Sequence, residues 1–324
     1  MGSVKTYWLS MHVSYACRDS GACCSSGWAI PVEHSRREAI ALLRADGSWL
    51  RPAPDAPDDT AGTLAVSNTG HCAFHDRGCE IQRAYGQRAI PSACQHFPRE
   101  VVMDDRGVFV TLSHYCPTAL DLVLQHEGPI AIVEGPPAVP EGEPEGLDAR
   151  QVLPPLLTGD VLMDLEGYAA WEAHMVGELA ENDGRSPEEV LDDLSRDLAV
   201  LTSWRPGRGA LRDVVLSLAR ARGTTPRIDS VTASESRVLR RYLAARAFAS
   251  WMAYQGGGVG AVLNHLRLVL EVVRDYSSRM PLGESIRQTD LLVLHLTPRD
   301  ELAARCRIPR PQGHGRSCRT RAGR

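Results

Sequence analysis

Seven of the nine cysteines in this 324-residue chain, Cys17, Cys23, Cys24, Cys72, Cys79, Cys94 and Cys116, fall within its first 116 positions. Clustered thiols pair as disulfides where the compartment is oxidising, and bind metal or carry redox chemistry where it is reducing. The first residues lack the basic start, continuous apolar core and small-residue cleavage site of a signal peptide, and no later run is apolar enough to span a bilayer. The expected location is therefore the cytoplasm, where disulfides are rare. An odd number of thiols also leaves one unpaired in any all-disulfide scheme. The N-terminal third thus reads as a metal site built on thiolates, either iron–sulfur or zinc, since both metals accept about four such ligands at roughly 2.0 to 2.3 Å. Cys306 and Cys318 stand apart in a basic stretch and belong to neither arrangement.

Charge excludes several partners. The 36 basic and 40 acidic residues give a formal net charge of −4, so no global field favours nucleic acid or an anionic membrane surface. A hydrophobic content of 43% is enough for two domains of ordinary size, each with its own core.

The cysteines sit among short elements. Tyr7, Leu9, Met11, Val13 and Tyr15 share one parity and predict a half-buried strand over 5–15 that delivers Cys17. Residues 31–45 read as a short helix, and 51–62 as a Pro/Asp/Ala loop. Cys72 and Cys79 flank the tight segment Asp76-Arg77-Gly78. The runs 100–103 and 108–113 predict a hairpin through Asp104-Asp105-Arg106-Gly107. Cys116-Pro117 opens a helix to about Gln125, with proline where its missing N–H costs nothing.

Beyond a Pro/Glu/Gly-rich segment the pattern becomes helical, at about 161–179, 186–204, 211–221, 234–254, 259–276 and 284–296. Ser186-Pro187-Glu188-Glu189 is a capping box with proline at the first helical position. The expected fold class is α+β. Residues 1–133 form a small cysteine-rich metal-binding domain of short strands and helices, 134–147 a linker, 148–308 an all-helical domain and 309–324 a disordered basic tail.

The run Cys17-Arg18-Asp19-Ser20-Gly21-Ala22-Cys23-Cys24, followed by Cys72, Cys79, Cys94-x-x-Phe97-Pro98 and Cys116, resembles the YkgJ-type cysteine-cluster family of zinc- or iron-chelating domains. Gly27-Trp28 and Cys116-Pro117 look closest to its flagellin lysine-N-methylase (FliB) branch. The likeness covers residues 15 to about 125. It departs at Ser20, where the pattern has cysteine, and a hydroxyl is a poor ligand for soft metals. Seven thiolates still suffice for one four-cysteine centre. The resemblance implies a 4Fe-4S cluster or zinc held by Cys17, Cys23, Cys24, Cys72, Cys79, Cys94 and Cys116. It also implies an alternative function, methyl transfer from S-adenosylmethionine to a lysine of a protein substrate, although no residue marks a methyl-donor pocket.

Other signals carry less. His71, His75, His96 and His114 read as surface or supporting donors, though Cys72-x-x-His75 keeps a mixed zinc site open. Gly256-Gly257-Gly258-x-Gly260 follows no strand and reads as a turn between helices. Arg237, Arg240 and Arg241 read as a solvated helix face, and Trp171, Trp204 and Trp251 as core.

Overall fold

The six residues of strand β6 (Gly107–Leu112) are all buried, the signature of a strand covered on both faces. Accordingly, β6 is the middle strand of a five-stranded sheet ordered β7-β1-β6-β5-β8. In this computed structural model, which describes residues 4–54, 56–139, 142–151, 154–159, 161–221, 233–255 and 257–307, β6 pairs antiparallel with β5 (Arg99–Asp104) and parallel with β1 (Thr6–Leu9). The hairpin between β5 and β6 lies where the sequence predicts it. Strand β1 is shorter than predicted: after Leu9 the chain turns, with the N–H groups of His12 and Val13 both donating to the Leu9 carbonyl. Two short strands close the edges, β7 (Ile132–Glu134) beside β1 and β8 (Leu147–Asp148) beside β5.

Alternation divides the side chains between the faces of the sheet. Trp8, Val101, Val108, Val110 and Leu112 pack with Ala119 and Cys116 on one side. Leu9, Val102 and Phe109 join the main core on the other, together with the helices. Thr111 turns the same way and its hydroxyl donates to the Ala245 carbonyl of α8.

A second, smaller layer carries most of the cysteines. Strands β2 (Pro31–Glu33), β3 (Leu50–Arg51) and β4 (Thr60–Leu64) form a sheet ordered β2-β4-β3. It packs with α1 (His34–Ala41), α2 (Glu80–Tyr85) and α3 (Ser92–His96) around Val32, Ile40, Trp49 and Phe74. The predicted helix over 31–45 is therefore a strand followed by two turns of helix, and the predicted loop over 51–62 is flanked by two strands. At Gly62 a Cβ would stand 2.4 Å from the Arg51 carbonyl, so only glycine lets β3 and β4 approach this closely.

Helix α4 (Pro117–Gln125) begins and ends where predicted. After β8 comes a small hairpin of β9 (Leu156–Thr158) and β10 (Val161–Leu162), so the C-terminal part is not all-helical. Then follow α5 (Leu165–Ala180), α6 (Pro187–Thr202), α7 (Leu211–Ala221), α8 (Ala233–Ala247), α9 (Val259–Ser277), α10 (Leu282–Asp290), a π-helical turn over Leu291–Leu296 and α11 (Arg299–Cys306). Ser186 caps α6 as the sequence indicates: its hydroxyl accepts from the Glu189 N–H and the Glu189 carboxylate accepts from the Ser186 N–H. Leu191, Leu194, Leu198 and Leu201 then face the core.

Helix α8 packs on α9 and onto β6 of the sheet, α9 packs on β9, and one cluster of buried side chains runs from Leu9 of β1 to Cys306 of α11. The segment 134–147 joins two strands of the same sheet. Among the described residues no helix is long and apolar enough to cross a membrane. Cys318 and the basic tail of 309–324 lie outside the described residues.

One reading of the helical part is corrected. Arg240 is not solvated but 3% exposed. Its guanidinium pairs with Asp183 and donates to the carbonyls of Glu178, Leu179 and Arg185. Trp171 is fully buried, whereas Trp204 and Trp251 are partly buried at the margin of the core.

Candidate metal centre

Because β1 and β6 run parallel, their C-terminal ends lie side by side. The chain leaving β1 reaches Cys17 after one turn, and the chain leaving β6 reaches Cys116, the residue that precedes α4. Two thiols far apart in sequence therefore arrive at one place. The Tyr15 hydroxyl lies 3.8 Å from the Cys116 sulfur.

The remaining cysteines come from the smaller layer. Asp19 and Gly21 both adopt left-handed backbone, at φ 55° and 71°, and bend the loop into a short helical turn over Ala22–Cys24. Adjacent cysteines at such a turn fan apart, yet here the Cys23 and Cys24 sulfurs remain 4.0 Å from each other. Two sulfurs on one tetrahedral metal at about 2.3 Å stand roughly 3.8 Å apart. The loop is pinned twice: the Cys24 carbonyl accepts the Cys72 N–H at 2.7 Å, and the Asp19 carboxylate accepts the Cys79 N–H at 2.8 Å. Gly78 makes room for that carboxylate, since a Cβ there would lie 2.3 Å from it.

Six thiols, Cys17, Cys23, Cys24, Cys79, Cys94 and Cys116, line one cavity of about 30 Å³, together with Tyr15, Ser20 and Phe97. Cys72 lines a neighbouring cleft instead, with its N–H bonded to the Cys24 carbonyl and its thiol among the groups that interact with the Cys24 thiol. All seven predicted residues are thus brought into one neighbourhood, and none of the described cysteines forms a disulfide. Among the described residues, however, no three Cys, His, Asp or Glu side chains already converge on a single coordinating point.

The electrostatics follow from this crowding. The Cys24 thiol is pushed far up, first by its contact with Cys23 and then by Cys72 and Cys79. Those three are held below the usual thiol value, with the contact to Cys24 the largest cause in each. Cys79, which also accepts from the N–H groups of Gln82 and Ile81, comes down to about 7. Burial raises Cys94 well up, reinforced by the sulfurs of Cys23, Cys79 and Cys72. Several thiolates side by side in a partly buried cavity repel one another, and a bound cation removes that repulsion. In donor chemistry the cavity suits a thiophilic metal ion or a small iron–sulfur cluster. Ser20 lines it with a hydroxyl, which adds no soft ligand.

Phe97, which lines the cavity, is backed by an aromatic cluster. Trp28 packs against Phe97 at 5.5 Å and against His295 at 4.8 Å between ring centres. His295, carried by the π-helical turn, lies 2.7 Å from the Ser113 hydroxyl. The Phe97–Pro98 peptide in this cluster is cis.

The predicted histidines separate. His96 ties α3 to the Glu145 N–H, and His71 and His75 stack at 4.8 Å beside Cys72. His114 is not a surface donor: it is fully buried, with Nδ1 at 3.2 Å from Asp290 and Nε2 at 3.2 Å from Nε2 of His12. Tyr242 also donates to Asp290. This buried chain of His12, His114, Asp290 and Tyr242 has no sequence signature, because its members come from four separate elements.

Compared with protein-family models, curated proteins and solved structures, the chain matches none.

Proposed function

We propose that the N-terminal cavity holds a metal centre on cysteine thiolates, an iron–sulfur cluster or zinc, and that this is a metal-binding cysteine-cluster protein of the YkgJ type. The observation that carries the reading is the gathering of six thiols from four separate segments around one cavity. Cys17, Cys23, Cys24, Cys72, Cys79, Cys94 and Cys116 are the set from which the centre draws its ligands, and Cys23, Cys72 and Cys79 all interact with the Cys24 thiol. When bound, a 4Fe-4S cluster supplies one-electron chemistry, and zinc a fixed tetrahedral cross-link. Asp19 holds the loop of Cys17, Cys23 and Cys24 against the start of α2. Phe97 lines the cavity, and Trp28 and His295 pack against its ring. Methyl transfer from S-adenosylmethionine to a protein lysine keeps only the resemblance as support.

The test is the visible spectrum and metal content of protein purified without oxygen. A broad band near about 400 nm with about four irons per chain identifies an iron–sulfur centre. Colourless protein with about one zinc identifies a structural site. Cys24→Ser and Cys116→Ser lose the metal, whereas Cys306→Ser, remote in α11, keeps it. Absence of both metals after reconstitution refutes the proposal.

A further inference from the structure

A second, open cleft adjoins Cys72, which is part of its lining. Its volume is about 390 Å³, and its other polar lining is Arg44, Arg51, Ser67, Thr69, His71 and His75. No carboxylate among the described residues lines it, although the chain as a whole carries a net charge of −4. The local excess of cationic and hydroxyl donors is therefore not a reflection of composition.

The donors are fixed to different degrees. Arg44 is braced, with its guanidinium 2.9 Å from Glu80 and stacked over the Phe74 ring at 5.0 Å. Ser67, Thr69 and His71 form a hydrogen-bonded run: the two hydroxyls are 2.8 Å apart, and the Thr69 hydroxyl lies 3.0 Å from His71 Nδ1. That bond leaves Nε2 of His71 without a protein partner among the described residues. Arg51, exposed on the edge strand β3, likewise has no carboxylate partner among the described residues. Two guanidinium groups and the one donor that the Ser67–Thr69–His71 run leaves free, a hydroxyl or the His71 Nε2–H according to tautomer, lie on one concave surface and match a tetrahedral dianion, which offers more acceptors than a single carboxylate can. The volume lies within the range of about 300 to 1,000 Å³ of small-molecule sites.

We infer that this cleft, between Arg51 of β3 and the Ser67–His71 turn, binds a small phosphorylated molecule through its phosphate. The inference is independent of the metal reading, because none of these donors belongs to the thiol set.

The experiment is isothermal titration of the full chain with inorganic phosphate and, separately, with ribose 5-phosphate, at low ionic strength. Saturable one-to-one binding is expected, weakened about tenfold in Arg51→Gln. Arg51 is exposed and has no carboxylate partner among the described residues, so this variant is expected to fold, which circular dichroism checks. Thr69→Val is the second variant, expected to weaken binding without altering charge. Tighter binding of the ester identifies an organic phosphate, and equal binding identifies the free anion as sufficient; both support the site. No saturable binding up to about 10 mM, or binding unchanged in both variants, which would mean adventitious ions only, overturns it.

Discussion

His265 on α9 is 3% exposed, and neither ring nitrogen has a protein partner. Burial, helped by the nearby Arg246 charge, lowers its pKa from 6.5 to about 4. Between those two values the unfolded chain binds a proton that the folded chain refuses, so stability rises with pH. The contribution is fully present above pH 6.5 and is lost as pH falls from 6.5 towards 4. Its full size is about 3 kcal/mol, of which about 2 kcal/mol disappears between pH 7 and pH 5. Replacing the ring with an apolar side chain of similar volume, His265→Leu, removes this term and also two unpaired buried polar atoms. The variant should be no less stable than the parent at pH 7, with a gain of up to about 2 kcal/mol. The assay is guanidinium unfolding of both proteins at pH 7 and pH 5. His12 and His114 are also held low by burial, so both proteins weaken in acid, but the parent should lose about 2 kcal/mol more than the variant. Equal losses, or a variant destabilised by more than about 1 kcal/mol at pH 7, would refute the reasoning and mean that the ring nitrogens have a partner.

Three further outcomes follow from other sites. Asp183→Ala leaves the buried Arg240 guanidinium without its counter-charge and should cost about 3 kcal/mol in denaturant unfolding. Ser186→Ala removes the cap of α6 and should cost about 1 kcal/mol, read as a lower midpoint at unchanged slope. Gly78→Ala places a Cβ 2.3 Å from the Asp19 carboxylate at φ 136°; it should lower stability by about 1 to 3 kcal/mol and speed metal loss to a chelator. Unchanged chelator kinetics would show that Asp19 does not hold the cysteine loop.

Elements whose signals are local could be read from sequence. The capping box at Ser186, the proline opening α4 and the tight turn at Asp104–Gly107 each specify structure within a few residues, and each lies where expected. The strands β2, β3 and β4 span five residues or fewer, too short for a periodic pattern, and exist only because distant segments pair. Arg240 looks like a surface arginine until Asp183 and three carbonyls arrive from the preceding helices. The seven candidate cysteines were legible as a group because thiols so dense in one region are rare. How they divide was not: that six line one cavity while Cys72 lines the neighbouring cleft depends on how segments distant in sequence pair.

The parallel pairing of β1 with β6 also sets an order of events. The hairpin of β5 and β6 closes locally through a four-residue turn, but β1 must span the intervening chain before it can dock beside β6. Closing so long a loop costs conformational entropy that only the completed sheet repays. During synthesis, Cys17, Cys23 and Cys24 leave the ribosome long before Cys116, so for that interval the early thiols have no complete cavity to enter. The thiols of the smaller layer can gather first, and the cavity is completed only when the strand preceding Cys116 is in place, so a chain halted before β6 has the cavity without its Cys116 wall.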